Sequence, residues 1–229
     1  MKVSERLLRL SFSAVFFVFC IFSCASAGKK EVLKNDLNGM IYDFDNKPAA
    51  MYTLTIEELG ISAVSDITGR FSFADLPFGT YTIKGSGKDY ESIREPFTFQ
   101  DRRQIVYLKA ASREQLYSMI YTCLEDDRTA EAASLEERLL SIGEKDETSL
   151  FYSAVIKLRQ NEVQSALDIL LELEKLPSSY PEVYLFISAI YENCLGDYEK
   201  AVLYLEKAFA ISKSDETMRK IKTLKEHMQ

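Results

Sequence analysis

Leu116, Leu124, Ala132 and Leu139 are each followed 34 residues later by a residue of the same kind: Leu150, Leu158, Ala166 and Leu173. Ala166 is followed by Ala201, and Leu150 by Leu185, after 35. Ile120, Ala154 and Ala189 share one small-to-medium position in the same frame. A repeat of this length is two helices and two turns, a unit that buries its apolar face only by stacking on a neighbour. Units are expected at about 113–146, 147–181 and 182–215. Breakers fall between them: Gly143, then Pro177 and Pro181 around Ser178-Ser179-Tyr180. Ser214 or Asp215 is placed to cap a last helix over 216–228, whose lysines and arginine suit the outer face of a terminal unit.

The stretch Pro181–Lys213 carries the repeat most clearly. Leu185, Ala189 and Glu192 are expected on one face of its first helix, and Ala201, Leu205 and Ala208 on one face of its second, with Gly196-Asp197-Tyr198 at the turn. The unit resembles a tetratricopeptide repeat, through Leu185, Ala189, Gly196, Tyr198, Ala201 and Ala208. It departs at Glu192, where a tyrosine is usual, and at Lys213, where a proline is usual. The resemblance implies a scaffold without chemistry of its own. It also implies a groove along successive first helices, here Tyr117 and Tyr121, Phe151 and Val155, Phe186 and Ile190. The Lys/Asn set with which some members clamp a terminal carboxylate is missing, so the groove is expected to be apolar and aromatic. It is open to a partner, or else covered by the rest of the chain or a second copy.

The periodicity changes upstream. From Leu37 to Lys109, β-branched and aromatic residues alternate with polar ones and turn signals recur every eight to ten residues. Strands are expected near 38–44, 50–58, 61–65, 70–75, 79–85, 91–99 and 103–109. That pattern predicts a small seven-stranded antiparallel β-sandwich over 37–110, followed by the helical array over 111–229. The fold class is therefore multidomain, all-β then all-α, and the change near Ala110–Ser112 predicts that the two parts fold separately. Asp66-x-x-Gly69-x-Phe71-x-Phe73, then Leu76-Pro77-x-Gly79-x-Tyr81, with Gly39-x-Ile41-x-Asp43 and Lys47-Pro48-Ala49 before them, resembles the carboxypeptidase regulatory-like domain. The resemblance implies a transthyretin-like accessory module with no catalytic residue.

The N-terminus reads as an export signal. Lys2, Arg6 and Arg9 precede the apolar run Leu10–Phe22, which is short of the roughly 20 residues needed to span a bilayer. Ile21-Phe22-Ser23-Cys24 resembles a lipoprotein signal. It implies a leader of 1–23, lipid on Cys24 and a polar tether over 24–36. The alternative is cleavage after Ala25-Ser26-Ala27, giving a soluble periplasmic or secreted chain from Gly28. Losing the leader removes three basic residues and one acidic one, taking the net charge from −7 to −9. That excess of acid disfavours nucleic acid as a partner.

Sites for chemistry are sparse. His227, the sole histidine, stands two residues from the C-terminus. No P-loop, dinucleotide fingerprint, HExxH or GxSxG occurs, and no enzyme activity, cofactor or metal is implied. Asp43, Asp45 and Asn46 could offer oxygens to a cation, but turns use such residues routinely. Cys123 and Cys194 suit buried free thiols better than a disulfide framework. The expected function is a non-catalytic, lipid-anchored scaffold that binds another envelope or periplasmic protein. The alternative is a carbohydrate- or surface-binding module using Tyr52, Tyr90 and Tyr107 on the sandwich.

Overall fold

A computed structural model describes residues 34–143, 145–176 and 180–228. The leader, Cys24, the Ala25–Ala27 site and Pro177 lie outside the described residues. Seven strands come first: β1 Lys34–Tyr42, β2 Thr53–Ile56, β3 Ile61–Val64, β4 Arg70–Pro77, β5 Gly79–Gly87, β6 Tyr90–Phe99 and β7 Ile105–Lys109. They form a three-stranded sheet in the order β4-β1-β7 and a four-stranded sheet in the order β3-β2-β5-β6. Residues from both sheets meet in one apolar core, including Leu37, Ile41, Leu54, Phe71, Phe73, Tyr81, Ile83 and Phe99. Phe71 and Phe73 share the buried face of β4, with ring centroids 5.9 Å apart, as period-2 side-chain geometry requires. Gly69 turns β4 away from its predecessor at φ 78°, and a Cβ there would come 2.4 Å from the Ile41 carbonyl oxygen.

Two expectations are corrected. The strands are not all antiparallel, because β1 and β7 pair in parallel, Gly39 beside Val106 and Ile41 beside Leu108. Tight turns force antiparallel pairing between sequence neighbours, but no short turn links the first strand to the last. Both run toward the helical half and finish side by side, where Ala110 N–H donates to the Tyr42 carbonyl at 3.0 Å. The tether, expected to run to residue 36, ends earlier: Lys34 and Asn35 already pair with Pro77 and Leu76 in β1.

Seven helices follow: α1 Arg113–Glu125, α2 Thr129–Leu140, α3 Glu147–Arg159, α4 Val163–Leu173, α5 Pro181–Ile190, α6 Tyr198–Ser212 and α7 Asp215–His227. The N-caps are chemically specified. Ser112 and Gln115 form a reciprocal capping box on α1, and Asp146, Asp197 and Ser214 cap α3, α6 and α7. Helices α1–α2, α3–α4 and α5–α6 are hairpins. Helix α3 joins the first two: Ile156 enters the core of α1 and α2, while Ala154 enters the core built by α4 to α7. Ile221 and Leu224 of α7 close that second core.

Helix α5 does not end where its α-helical span does. It continues into a single π-helical turn, Tyr191–Leu195, closed by Gly196 in the left-handed region. This turn inserts one residue into the first helix of the third hairpin. Leu116 to Ala132 and Leu150 to Ala166 span 16 residues, whereas Tyr184 to Ala201 spans 17. The 34-residue frame therefore runs Leu116, Leu150, Tyr184, and the extra residue falls after it. Leu185, expected inward, is 38% exposed. Tyr184, Ser188 and Tyr191 are buried in its place, and the Ser188 hydroxyl donates to the Ala201 carbonyl at 2.8 Å.

The strands and helices belong to one compact unit, joined by more than the peptide link. The Glu91 side chain on β6 accepts from Ala111 N–H at 2.6 Å and from the Arg138 guanidinium on α2. Ser92 N–H donates to Ser141 Oγ, and Phe44 N–H donates to Gln115 Oε1.

A candidate partner-binding cleft

The first helices of the three hairpins, α1, α3 and α5, lie in sequence order along one side of the array. Rings link each to the next. Tyr117 stacks on Tyr152 at 5.7 Å, and Phe151 meets Phe186 at 5.6 Å. Both pairs are 35 residues apart, one step beyond the repeat length, because successive helices are offset where they touch.

Asp146 fixes the α1–α3 spacing. Its carboxylate caps α3 through Ser149 N–H at 2.8 Å and accepts from the Tyr117 hydroxyl at 2.5 and 2.6 Å and from Arg113 at 3.3 Å. Burial alone would raise the Asp146 pKa. The Tyr117 hydroxyl, the Ser149 N–H and the Arg113 charge outweigh it and hold the carboxyl below its ordinary value. Burial and the same carboxylate push Tyr117 up to about 12.

Beside these rings lies a cleft of about 400 Å³. Tyr121 comes from α1, Thr148, Phe151 and Tyr152 from α3, and Val183 from α5. Leu173 at the end of α4 and Tyr180 just before α5 complete the apolar wall, and Glu147 and Glu182 stand at the rim. A volume of this size accommodates one or two bulky side chains. The chemistry on offer is apolar and aromatic contact with carboxylates nearby.

The six residues expected in the groove divide. Tyr121, 55% exposed, and Phe151 line the cleft. Tyr117 is held in the Asp146 cluster, Val155 packs on the α1–α2 core, and Phe186 backs Phe151 from behind. Ile190 is not on this surface at all. It is 1% exposed, inside the second core, because the π turn, and with it the extra residue, lies after it. Sequence reasoning missed Tyr152, Leu173, Tyr180, Glu147 and Glu182. Tyr152 was detectable as the ring one residue beyond the repeat from Tyr117. Tyr180 was not, since a linker residue has no place in the repeat frame.

The other candidates are placed elsewhere. Asp43 Oδ1 accepts from Asp45 N–H at 2.9 Å and Lys47 N–H at 2.8 Å, so it organises its own turn. The three tyrosines of the alternative binding module are not assembled into a platform. Tyr52 is fully buried, Tyr90 packs edge-on against it at 6.2 Å, and Tyr107 stands alone on the other sheet. Cys123 is buried, but Cys194, expected inside, is exposed in the π turn. His227 is exposed, with Nδ1 3.0 Å from the Thr223 carbonyl oxygen.

The described chain is thus a two-sheet β unit carrying tetratricopeptide-like helical hairpins. No protein-family profile and no curated protein sequence matches it. Solved structures similar to it include MamA, 18% identical over 51% of this chain and 68% of that one, with a TM-score of 0.45. The TPR2AB domain of yeast Sti1 in a pHSP90 complex is 16% identical over 51% of this chain and 47% of that one, with a TM-score of 0.45. The Yersinia enterocolitica type III secretion chaperone SycD, with a peptide of the translocator YopD, is 14% identical over 51% of this chain and 94% of that one, with a TM-score of 0.44.

Proposed function

We propose that the helical half is a non-catalytic protein-interaction scaffold, and that a partner seats apolar side chains in the cleft between Tyr121, Phe151 and Val183. The observation that carries this reading is the cleft itself. It is open, walled by rings from two different hairpins, and has the exposed Tyr121 on its wall. Buried aromatic anchors of this kind dominate interface energies. The two-sheet half serves as a carboxypeptidase regulatory-like accessory module, a reading supported by the Asp66–Tyr81 motif. The chain works in the cell envelope, held by lipid on Cys24, a reading supported by the basic start and the apolar run before that residue.

The cleft is tested with the full chain immobilised in detergent-solubilised envelope extract. Tyr121→Glu should abolish recovery of a partner that the wild type and Tyr198→Glu, a control on exposed α6 surface, both retain. Equal melting temperatures must accompany that loss, and recovery unchanged by Tyr121→Glu rejects the cleft. Mass spectrometry of the membrane fraction tests the anchor separately. Lipid on an N-terminal Cys24 is expected, and a soluble chain beginning at Gly28 rejects it.

A further inference from the structure

A second surface lies on the opposite half of the molecule. Strand β7 ends the three-stranded sheet, with β1 on one side and no strand on the other. Ala110 N–H points to β1, and main-chain groups of successive strand residues alternate in direction. Leu108 and Val106 therefore share the β1 side, and the N–H and C=O groups of Ile105, Tyr107 and Lys109 point outward along the free edge. Among the described residues, none of these outward groups has a hydrogen-bond partner.

The other three edges are blunted in ways that native sheets use against pairing. Strand β6 contains Pro96 and its start packs on α2. Strand β4 holds Asp75 at φ 53°, and a register shift interrupts its pairing with β1. Strand β3 is four residues long. Strand β7 has neither proline, glycine nor bulge. Its outward face is apolar, with Tyr107 67% and Ile105 49% exposed and Met40 directly beside Tyr107.

Charge around this edge is opposite to that of the whole chain. Arg102 and Arg103 lead into β7 and Lys109 ends it. None of the three makes an ion pair among the described residues. Lys109 rests over the Phe44 ring and reaches Asn46 Oδ1. The nearby carboxylates Asp36 and Asp101 are turned to backbone N–H groups, of Asp75 and Arg103. Three cations around an apolar, hydrogen-bond-competent edge, on a chain of net charge −7, favour one kind of occupant.

We propose that the outer edge of β7 is a docking site for an extended acidic segment of a protein partner, which adds to the three-stranded sheet as a fourth strand. Main-chain bonds to Ile105, Tyr107 and Lys109 hold the segment, as in other strand additions. Glutamate or aspartate side chains on it meet Arg103 and Lys109, which selects acidic over basic sequences.

The test uses the full chain and a fluorescein-labelled peptide of alternating threonine and glutamate, read by anisotropy. Saturable binding is expected, at least about tenfold tighter than for the threonine–lysine counterpart. Tyr107→Pro removes an outward N–H and leaves the β1-facing groups of Val106 and Leu108 in place, so it should abolish binding. Tyr107→Thr keeps that N–H and should retain binding within about threefold. If Tyr107→Pro fails to fold by circular dichroism, the double variant Arg103→Glu, Lys109→Glu decides, and it should reverse the preference between the two peptides. Equal binding of both peptides, or a preference that survives charge reversal, overturns the proposal. So does a dimer in sedimentation that Tyr107→Pro dissolves, because a second copy would then own the edge. Charge-dependent binding to anionic vesicles without peptide binding overturns it as well.

Discussion

The carboxylate of Glu91, 6% exposed on β6, grips the guanidinium of Arg138 on α2 through two hydrogen bonds of 2.6 and 2.9 Å. The same side chain accepts the N–H of Ala111, the residue at which strand gives way to helix. One acid therefore fixes both the angle at which the helical half leaves the sheets and the face of α2 that packs on β6. Removing one partner leaves the other charge without its mate in a partly buried site. Arg138→Met should cost about 3 kcal/mol, the low end for such pairs because Arg138 is about one-third exposed. Urea unfolding measures it, and the double variant with Glu91→Gln should be more stable than the two single losses combined. A single-variant loss below the error of the melt would show that the interface holds without this pair.

The register of α5 gives the next prediction. Ile190→Ala should destabilise by about 2–5 kcal/mol, as a core truncation does. Leu185→Ser, one residue off the observed 34-residue frame and exposed, should stay within about 0.5 kcal/mol. Thermal melts of the two variants separate the observed register from the alignment, which puts their roles the other way round.

Asp146 predicts a pH dependence. Its folded-state pKa is lowered, so the stability it contributes is present above the unfolded value, about 3.9. That stability is lost as pH falls through the lower folded value. Asp146→Asn keeps a capping side chain but gives up the charge that Tyr117 and Arg113 face. It should melt below wild type at pH 7, with the gap closing as pH falls below about 4. The carboxylate is nearly half exposed, so the effect at pH 7 should be about 1 kcal/mol or less. A gap that stays constant from pH 7 to pH 3 rejects the assignment.

Gly39 lies in β1 opposite Phe71, and a Cβ there would come 2.1 Å from the ring. Gly39→Ala forces the ring out of its place in the core and should cost about 1–3 kcal/mol. Gly39→Ala combined with Phe71→Leu should recover part of that loss, since the shorter side chain vacates the space. A double variant no better than the sum of its parts would place the strain in the backbone instead.

The sequence by itself determined the local chemistry of this protein. Alternation put Phe71, Phe73, Tyr81 and Ile83 on one face, because a strand repeats every two residues whatever it packs against. The 34-residue recurrence put Leu116, Ala132, Ala154 and Ala166 inside, because the helix faces that pack between stacked hairpins return once in every unit. What alternation and recurrence do not encode are relations between segments far apart in the chain. The parallel β1–β7 pair, the Glu91–Arg138 contact across 47 positions and the arrival of Tyr180 at the cleft depend on where whole elements come to rest. The π turn at Tyr191–Leu195 is the sharpest case. Asn193 and Cys194 carry no local signal for it, yet it moves Leu185 out and keeps Ile190 in. Only burial of the Tyr184–Ser188–Tyr191 face against α6, achieved in the folded array, decides which of the two registers α5 adopts.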